Sequence, residues 1–578
     1  MVGSRTAAQP LATRRVPVNP RRVAPLVVAA ALAALYLIWQ PASLDLAAAE
    51  YRAWLFDHAG FAVWDAQWYG GHHLPGYSVL FPPLAGWVGP RLLGALAVVV
   101  AAWLFERIAS GRYGADGWLG ATWFAVGAGA TLFSGRITFA LGLVPALGCV
   151  ALLQRGRRAG PVASGRAHTA LSGGARASSA PPARSAAALS PSMPVVCGAV
   201  ALAVLTALAS PVAALFLALA GAAYWLGTRR LAGLGVATAA LAPVALLAVA
   251  FPEGGSEPFV FSAFWPVVAF PVALAVLLPR EARVLRIAAV LYALLGLAVF
   301  VVATPIGGNV ARLGQLCAGP LAALALWPRR RLAFACVAPL LLWWQLGPAI
   351  RDVHTANGDP SVEASYYAPL LAELDARGAD GTEGRLEIPF TKVHWEARWV
   401  APHVPLARGW ERQLDRKVNA LFYGDAPLTP QRYRDWLDRM AVRWVAVPDV
   451  ALDYSAEDEA RLIARGLPYL REVWHSAHWR LYAVADPTPL VDRPARVLGG
   501  TTDSLTLAAP RPGTIRLRVR WSPYWAVTGG GACVAPDGDW TRLGVRTAGT
   551  VHLTMDFSPL RIASHAARCG DRTVVNNG

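Results

Sequence analysis

Acidic side chains are scarce in the first 350 residues of this chain, and they are clustered. Nine Asp and Glu stand there among 25 Arg. Six of the nine fall in two stretches: Asp45, Glu50, Asp57 and Asp65 in one, Glu253 and Glu257 in "FPEGGSEPFVF". The first stretch also holds His58 and runs on through "VWDAQWYGGHHLPGYSVLFPPL", which contains Trp64, Trp68, Tyr69 and the adjacent His72 and His73. These residue types can act together. A carboxylate in a partly dry cleft has its pKa raised and can take a proton as a general base. A nearby imidazole can share that proton or orient an anion. Aromatic faces pack on polyol rings, and equally anchor a chain at a lipid interface. The candidates for such chemistry are therefore the acids Asp45, Glu50 and Asp65, with His72, His73, Trp68 and Tyr69 around a ligand. A His-His pair with an Asp invites a metal, but no fixed ligand spacing accompanies it, so no metal site is assigned.

The elements that must position these groups are membrane spans. Of 578 residues, 55% are apolar and 15% charged. Apolar runs fall near 24–40, 88–105, 117–133, 137–154, 195–209, 212–227, 231–250, 262–279, 287–303, 313–327 and 332–349, about eleven crossings in a polytopic α-helical domain, 24–350. The first run has Tyr36 and Trp39 where a signal peptide would carry small residues for cleavage, so it is expected to be retained. A formal charge of +17 suggests nucleic acid until the chain is divided: residues 351–578 carry 28 basic and 27 acidic groups. The excess belongs to the membrane half, where it reports sidedness, and nucleic acid drops out as a partner.

Arg14, Arg15, Arg21 and Arg22 precede the first run, which places the tail 1–23 in the cytoplasm. Eleven crossings then leave 21 of the 25 arginines on that side, with Arg52, Arg91, Arg136 and Arg312 on the other. The expected protein is a multi-pass plasma-membrane protein with an outer loop, 41–87, and an extracytoplasmic C-terminal half. Arg136 and Arg312 suit a lipid phosphate, whose oxygens match a guanidinium fork, although interfacial snorkelling would explain them as well. Residues 156–194, rich in Ala, Ser, Gly, Pro and Arg, read as a disordered cytoplasmic linker. Pro82, Pro83, Gly86, Gly89 and Pro90 interrupt the apolar pattern after Tyr77 and suggest a re-entrant element beside an outer cavity.

Beyond the membrane half, 351–494 reads as an α/β domain. "RLEIPF", "RWVAVPD" and "WRLYAV" are strand-like, and "TPQRYRDWLDRMA" is a helix with Thr429 as N-cap and Pro430 in its first turn. "HWEARWVAPHVPLARGWERQLD", 394–415, is a candidate cover for the cavity, or ordinary domain packing. Residues 495–578 alternate as strands of a small β-sandwich, in which Trp521, Tyr524, Trp525 and Trp540 form either a glycan platform or the core. Cys533 and Cys569, the two cysteines outside the membrane half, are expected to form a disulfide in an oxidising exterior.

A cytoplasmic start, one span, and then a long outer loop with an early acid in "SLDLAAAEYRAWLFDHAGF" resembles the GT-C class of membrane glycosyltransferases. "WDAQWYGG" is similar to Trp-Asp motifs in the same loop of some members, and "SGRITFALG" to a segment of actinobacterial ones. The acidic pairs many members carry near the first position are absent here. The resemblance covers roughly 24–350. It implies hexosyl or pentosyl transfer from a polyprenyl-phosphate carrier to an envelope glycan or glycolipid acceptor at the outer face of the bilayer. In this layout Asp45 would be the base and Asp65 the second choice. No cofactor is indicated, and a divalent cation stays open. The alternatives are a non-catalytic envelope glycan-binding scaffold and a lipid or polysaccharide transporter.

Overall fold

The computed structural model describes residues 20–156, 192–327, 330–424, 426–557 and Cys569. The tail 1–19 and nearly all of the predicted linker 156–194 lie outside them. Helices stand at every predicted apolar run: α1 (Pro20–Trp39), then, after the short α2 (Leu44–Ala59) and α3 (Phe81–Val88), α4 (Pro90–Tyr113), α5 (Trp118–Phe133), α6 (Ile137–Gly156), α7 (Met193–Ala209), α8 (Pro211–Thr228), α9 (Leu231–Ala250), α10 (Phe261–Leu277), α11 (Arg283–Val301), α12 (Ala311–Leu326) and α13 (Arg331–Ala356). Among the described residues seven helices are long and apolar enough to cross a membrane. The chain is a multi-pass membrane protein. One of the seven, Pro90–Phe133, turns back at Gly114–Gly117 into α4 and α5. The tail 356 onward, the loops 251–260 and 302–310 and the turn at Ser210 all gather at the end of the layer that carries α2. Arg107, Arg112, Arg155, Arg229, Arg230, Arg280, Arg283, Arg286, Arg330 and Arg331 lie toward the opposite end.

The C-terminal half begins as an α/β unit. It has α14 (Ala364–Ala376), α15 (Glu396–Trp399), α16 (Arg412–Val418), α17 (Pro430–Arg439) and α18 (Glu457–Ala464) around a sheet of β3 (Arg385–Glu387), β4 (Val442–Pro448), β5 (Leu470–His475) and β6 (Trp479–Val484). The strand order is β3-β4-β6-β5, with only β3 and β4 parallel. Helix α17 starts where its cap predicts: Thr429 Oγ1 accepts from Arg432 N at 3.3 Å. Strands β1 (Trp64–Asp65) and β2 (His72–His73) form a small hairpin in the outer loop, to which the site returns.

The last domain is a two-sheet sandwich. One sheet holds β10 (Trp525–Thr528), β13 (Gly549–Met555), β8 (Ser504–Ala509) and β7 (Arg496–Thr501). The other holds β11 (Cys533–Asp537), β12 (Trp540–Val545) and β9 (Gly513–Arg520). Trp525 is buried in the sandwich core with Trp521 packed against it, Trp540 is buried against the α/β unit and Tyr524 against Phe251, so these aromatics are filling and present no glycan platform. Cys533 and Cys569 are paired, 5.2 Å apart at Cα. Gly544, opposite Cys533 in the β11–β12 ladder, makes room: a Cβ there would lie within 3 Å of both sulfurs. Closing 36 residues of chain contributes about 2–4 kcal/mol. Cys533→Ser is therefore expected to lower the unfolding midpoint under non-reducing conditions, and an unshifted midpoint would show the bridge to be idle.

Candidate functional site

Only residues 40–43 separate helix α2 from α1, and Asp45 sits in the first turn of α2 with a side chain 39% exposed. Two arginines from distant helices reach it. Arg312 opens α12 and places Nη2 3.5 Å from Asp45 Oδ2. Arg136 comes from the α5–α6 turn and places Nε 3.9 Å from the same oxygen, while its Nη1 donates to Gln315 Oε1 at 3.3 Å. The turn Ser134-Gly135-Arg136 can approach because Gly135 has φ +69° and no side chain: a Cβ there would stand 2.5 Å from Leu46 N and from Ser43 Oγ. The Nε–H groups of Arg136 and Arg312 are buried and have no hydrogen-bond partner. Two cations with spare donors beside a half-exposed carboxylate can hold a multivalent anion and accept a proton in one place. The pocket beneath the pair, lined by Thr131, Ser134 and Gln345 among others, measures ≈ 20 Å³. That is room for about one water, so a larger ligand must meet the arginines from the open side of Asp45.

Three further groups frame Asp45. Trp410 donates its indole N–H to Leu44 O at 2.8 Å and stacks on His394 at 3.5 Å, which brings the segment 394–415 onto the site. Asp352, near the end of α13, adjoins Ser134 and Arg136. Glu257, in the loop between α9 and α10, lies within electrostatic reach of Asp45, Arg312 and Arg412. Desolvation pushes its carboxyl up to about 7, against the pull of Arg412. Sequence reasoning counted Glu257 among the outer acids without giving it a role. The signal available was its place, with Glu253, in a short loop between two apolar runs.

The other candidates are elsewhere. The hairpin β1–β2 turns through Tyr69, Gly70 and Gly71, all with positive φ. Gly71 is obligatory, since a Cβ would fall 2.1 Å from the Trp64 ring. The hairpin is wedged between the two C-terminal domains. Trp64 enters the sandwich core against Trp525, and Trp68 and Tyr69 enter the α/β core. Ala66 N donates to Thr502 O (2.9 Å), Leu406 N to Gln67 O (2.8 Å) and Arg520 N to Gly70 O (2.8 Å). The expected ligand-lined cleft is thus corrected: Asp65, Trp68, Tyr69 and His72 show essentially no surface, because segments hundreds of residues away in sequence cover them. Asp65 accepts from Tyr51 Oη (3.0 and 3.1 Å) and from Gln67 N (2.9 Å), and burial pushes its carboxyl up to about 7. His72 stacks on Trp68, and burial pulls its imidazole down to about 3. His73 bridges Glu253 (Nδ1–Oε1 2.6 Å) and Ser522 (Nε2–Oγ 3.0 Å). Those are the atoms of a nucleophilic triad, but Ser522 is fully buried and already accepts from Tyr524 N at 3.3 Å. The trio is an interdomain clamp. Glu50 pairs with Arg91 at 3.2 Å and lines a separate cavity. Among the described residues no three His, Cys, Asp or Glu gather as metal ligands.

No family model matches the chain. No curated protein matches it either. Among solved structures the chain is similar to that of arabinofuranosyltransferase AftD from mycobacteria, at 17% identity and a TM-score of 0.43, over 80% of this chain and 41% of that one. The chain therefore spans about two fifths of the length of that structure.

Proposed function

We propose that this protein is a GT-C-type membrane glycosyltransferase that moves a sugar from a polyprenyl-phosphate carrier to an envelope acceptor at the outer face. The observation that carries this reading is the convergence of Arg136 and Arg312 on Asp45 at the end of the helix layer that carries α2. In the proposed step the acceptor hydroxyl gives its proton to Asp45 as its oxygen attacks the anomeric carbon. The bond from that carbon to the carrier phosphate breaks, and the electron pair leaves on the phosphate oxygen, where the two guanidinium groups stabilise the growing charge. A single displacement inverts the anomeric centre. Eleven crossings, a cytoplasmic N-terminus and an extracytoplasmic C-terminal half belong to the same proposal. The sorting of arginines to the end away from Asp45 supports them. Reconstituting the chain in liposomes with labelled polyprenyl-phosphate sugars tests the reading, and no transfer to any envelope acceptor would remove it.

Glu257 sets an expected pH dependence. Its carboxyl is raised to about 7, so it is neutral below that pH and ionised above it. Ionised, it adds negative charge beside the place where the acceptor's proton must go, which favours the transfer of that proton. Transfer should therefore rise as pH passes through about 7. In Glu257→Gln that limb should flatten while transfer itself persists. A pH–rate profile with the same limb in the variant would assign the limb to another group.

A further inference from the structure

A second cavity, of ≈ 490 Å³, opens where the end of α1 and helix α2 meet the end of α13 and α15. Its size suits a small organic ligand, for which sites run roughly 300–1,000 Å³. We propose that it is the acceptor subsite and that it binds a neutral, hydroxyl-rich saccharide. The name "acceptor" rests on the transferase reading above; the binding of saccharide does not.

Three observations carry the proposal. The first is the wall. Trp395 and Trp399 lie nearly parallel, 5.9 Å between ring centroids, and Trp39 stands half-exposed at the end of α1. All three line the cavity. Flat faces of this kind pack against the C–H faces of sugar rings. The second is a missing partner. The Trp395 indole N–H is buried and has no hydrogen-bond partner, although the side chain is only 3% exposed. A buried donor left unpaired loses roughly 1–3 kcal/mol, which a ligand hydroxyl would restore. The third is charge. Glu50, Glu363 and Asn357 line the cavity against a single arginine, Arg91. Arg91 is already engaged by Glu50 and by Pro41 O, at 3.0 Å. Arg398 adds a second cation within reach of Glu50, so the cavity has no excess positive charge to hold a phosphate, and its carboxylates suit groups that donate, as sugar hydroxyls do. Neither Arg136 nor Arg312 lines this cavity. Pro41 and Ala42 do, a few residues before Asp45, and so does Val353, next to Asp352. The cavity thus draws part of its wall from the segments that carry Asp45 and Asp352, close to the cationic pair, as a bimolecular transfer requires.

The test uses the full chain in nanodiscs and three neutral probes, an arabino-, a manno- and a gluco-tetrasaccharide, with binding read by calorimetry. At least one probe should bind saturably. Trp39→Ala and Glu363→Gln should each weaken it by roughly tenfold or more, and Trp39→Phe should retain most of the affinity. Both positions are exposed, so their variants keep the fold. Arg312→Ala should bind saccharide like the wild type. Absence of binding by all three probes, or binding that Trp39→Ala and Glu363→Gln leave untouched, overturns the proposal. No sugar transfer by the wild-type chain to any envelope acceptor would instead remove the transferase reading, with the saccharide site standing.

Discussion

Asp45→Asn is expected to lower sugar transfer by roughly 10²–10⁴-fold, the usual contribution of a positioned general base, while leaving membrane insertion and yield unchanged. Asn keeps the size and hydrogen-bonding reach of the side chain and removes its ability to take a proton. The fold should tolerate the change. Asp45 is partly exposed, its ion pairs are long at 3.5 and 3.9 Å, and its favourable place at a helix N-terminus contributes about 0.3–1 kcal/mol. Two measurements on the same preparation decide the matter: transfer from a labelled polyprenyl-phosphate sugar, and the thermal midpoint. Full transfer at an unchanged midpoint takes Asp45 out of the mechanism. A collapsed midpoint would make it a structural residue.

The largest stability effect is expected from Arg52. This side chain, on α2, is buried and ion-paired with Glu411, just ahead of α16, and its guanidinium lies 3.8 Å from the Tyr77 ring centroid. Breaking one side of a buried pair leaves an uncompensated charge and typically costs about 3–5 kcal/mol. Arg52→Met should show that loss, and Arg52→Met/Glu411→Leu should recover much of it. The pH dependence has a definite sign. Burial raises the Glu411 carboxyl above its ordinary value, and Arg52 opposes that. Without Arg52 the folded-state value rises further, so the folded protein holds the proton more tightly than the unfolded one. Stability then falls as pH climbs from the ordinary carboxylate range through the raised value. The single variant should be weaker at pH 8 than at pH 5, and the double variant should lose that slope. Equal midpoints for single and double variants would show that the pair contributes no coupling.

Much of this arrangement was legible in the sequence where the signal is local. Apolar runs located the helices, and Thr429-Pro430 marked the start of α17. The separation of acids from arginines pointed to the end of the helix layer that carries Asp45, Arg136 and Arg312. What escaped was decided at long range. In "WDAQWYGGHH" the same letters that would line a cleft are filling, because residues 406–411 and 502–525 close over them. The cavity of Trp39, Glu50, Glu363 and Trp395 draws its wall from segments more than 300 residues apart, and no spacing in the sequence announces it. Glu257 was visible as an acid, but its raised carboxyl comes from burial among segments that meet only in the fold, against the pull of Arg412.

The wedged hairpin also fixes an order of events during synthesis. Tyr69 meets Glu411, 342 residues later, and His73 meets Ser522, 449 residues later. At roughly 5–20 residues per second, the ribosome needs on the order of 20–90 s to deliver those partners. Through that interval Trp64, Trp68 and Tyr69 lack these partners to cover them. A truncated product ending before residue 400 would keep them bare permanently, a target for holdases and proteases. The two halves of this chain mature as one body.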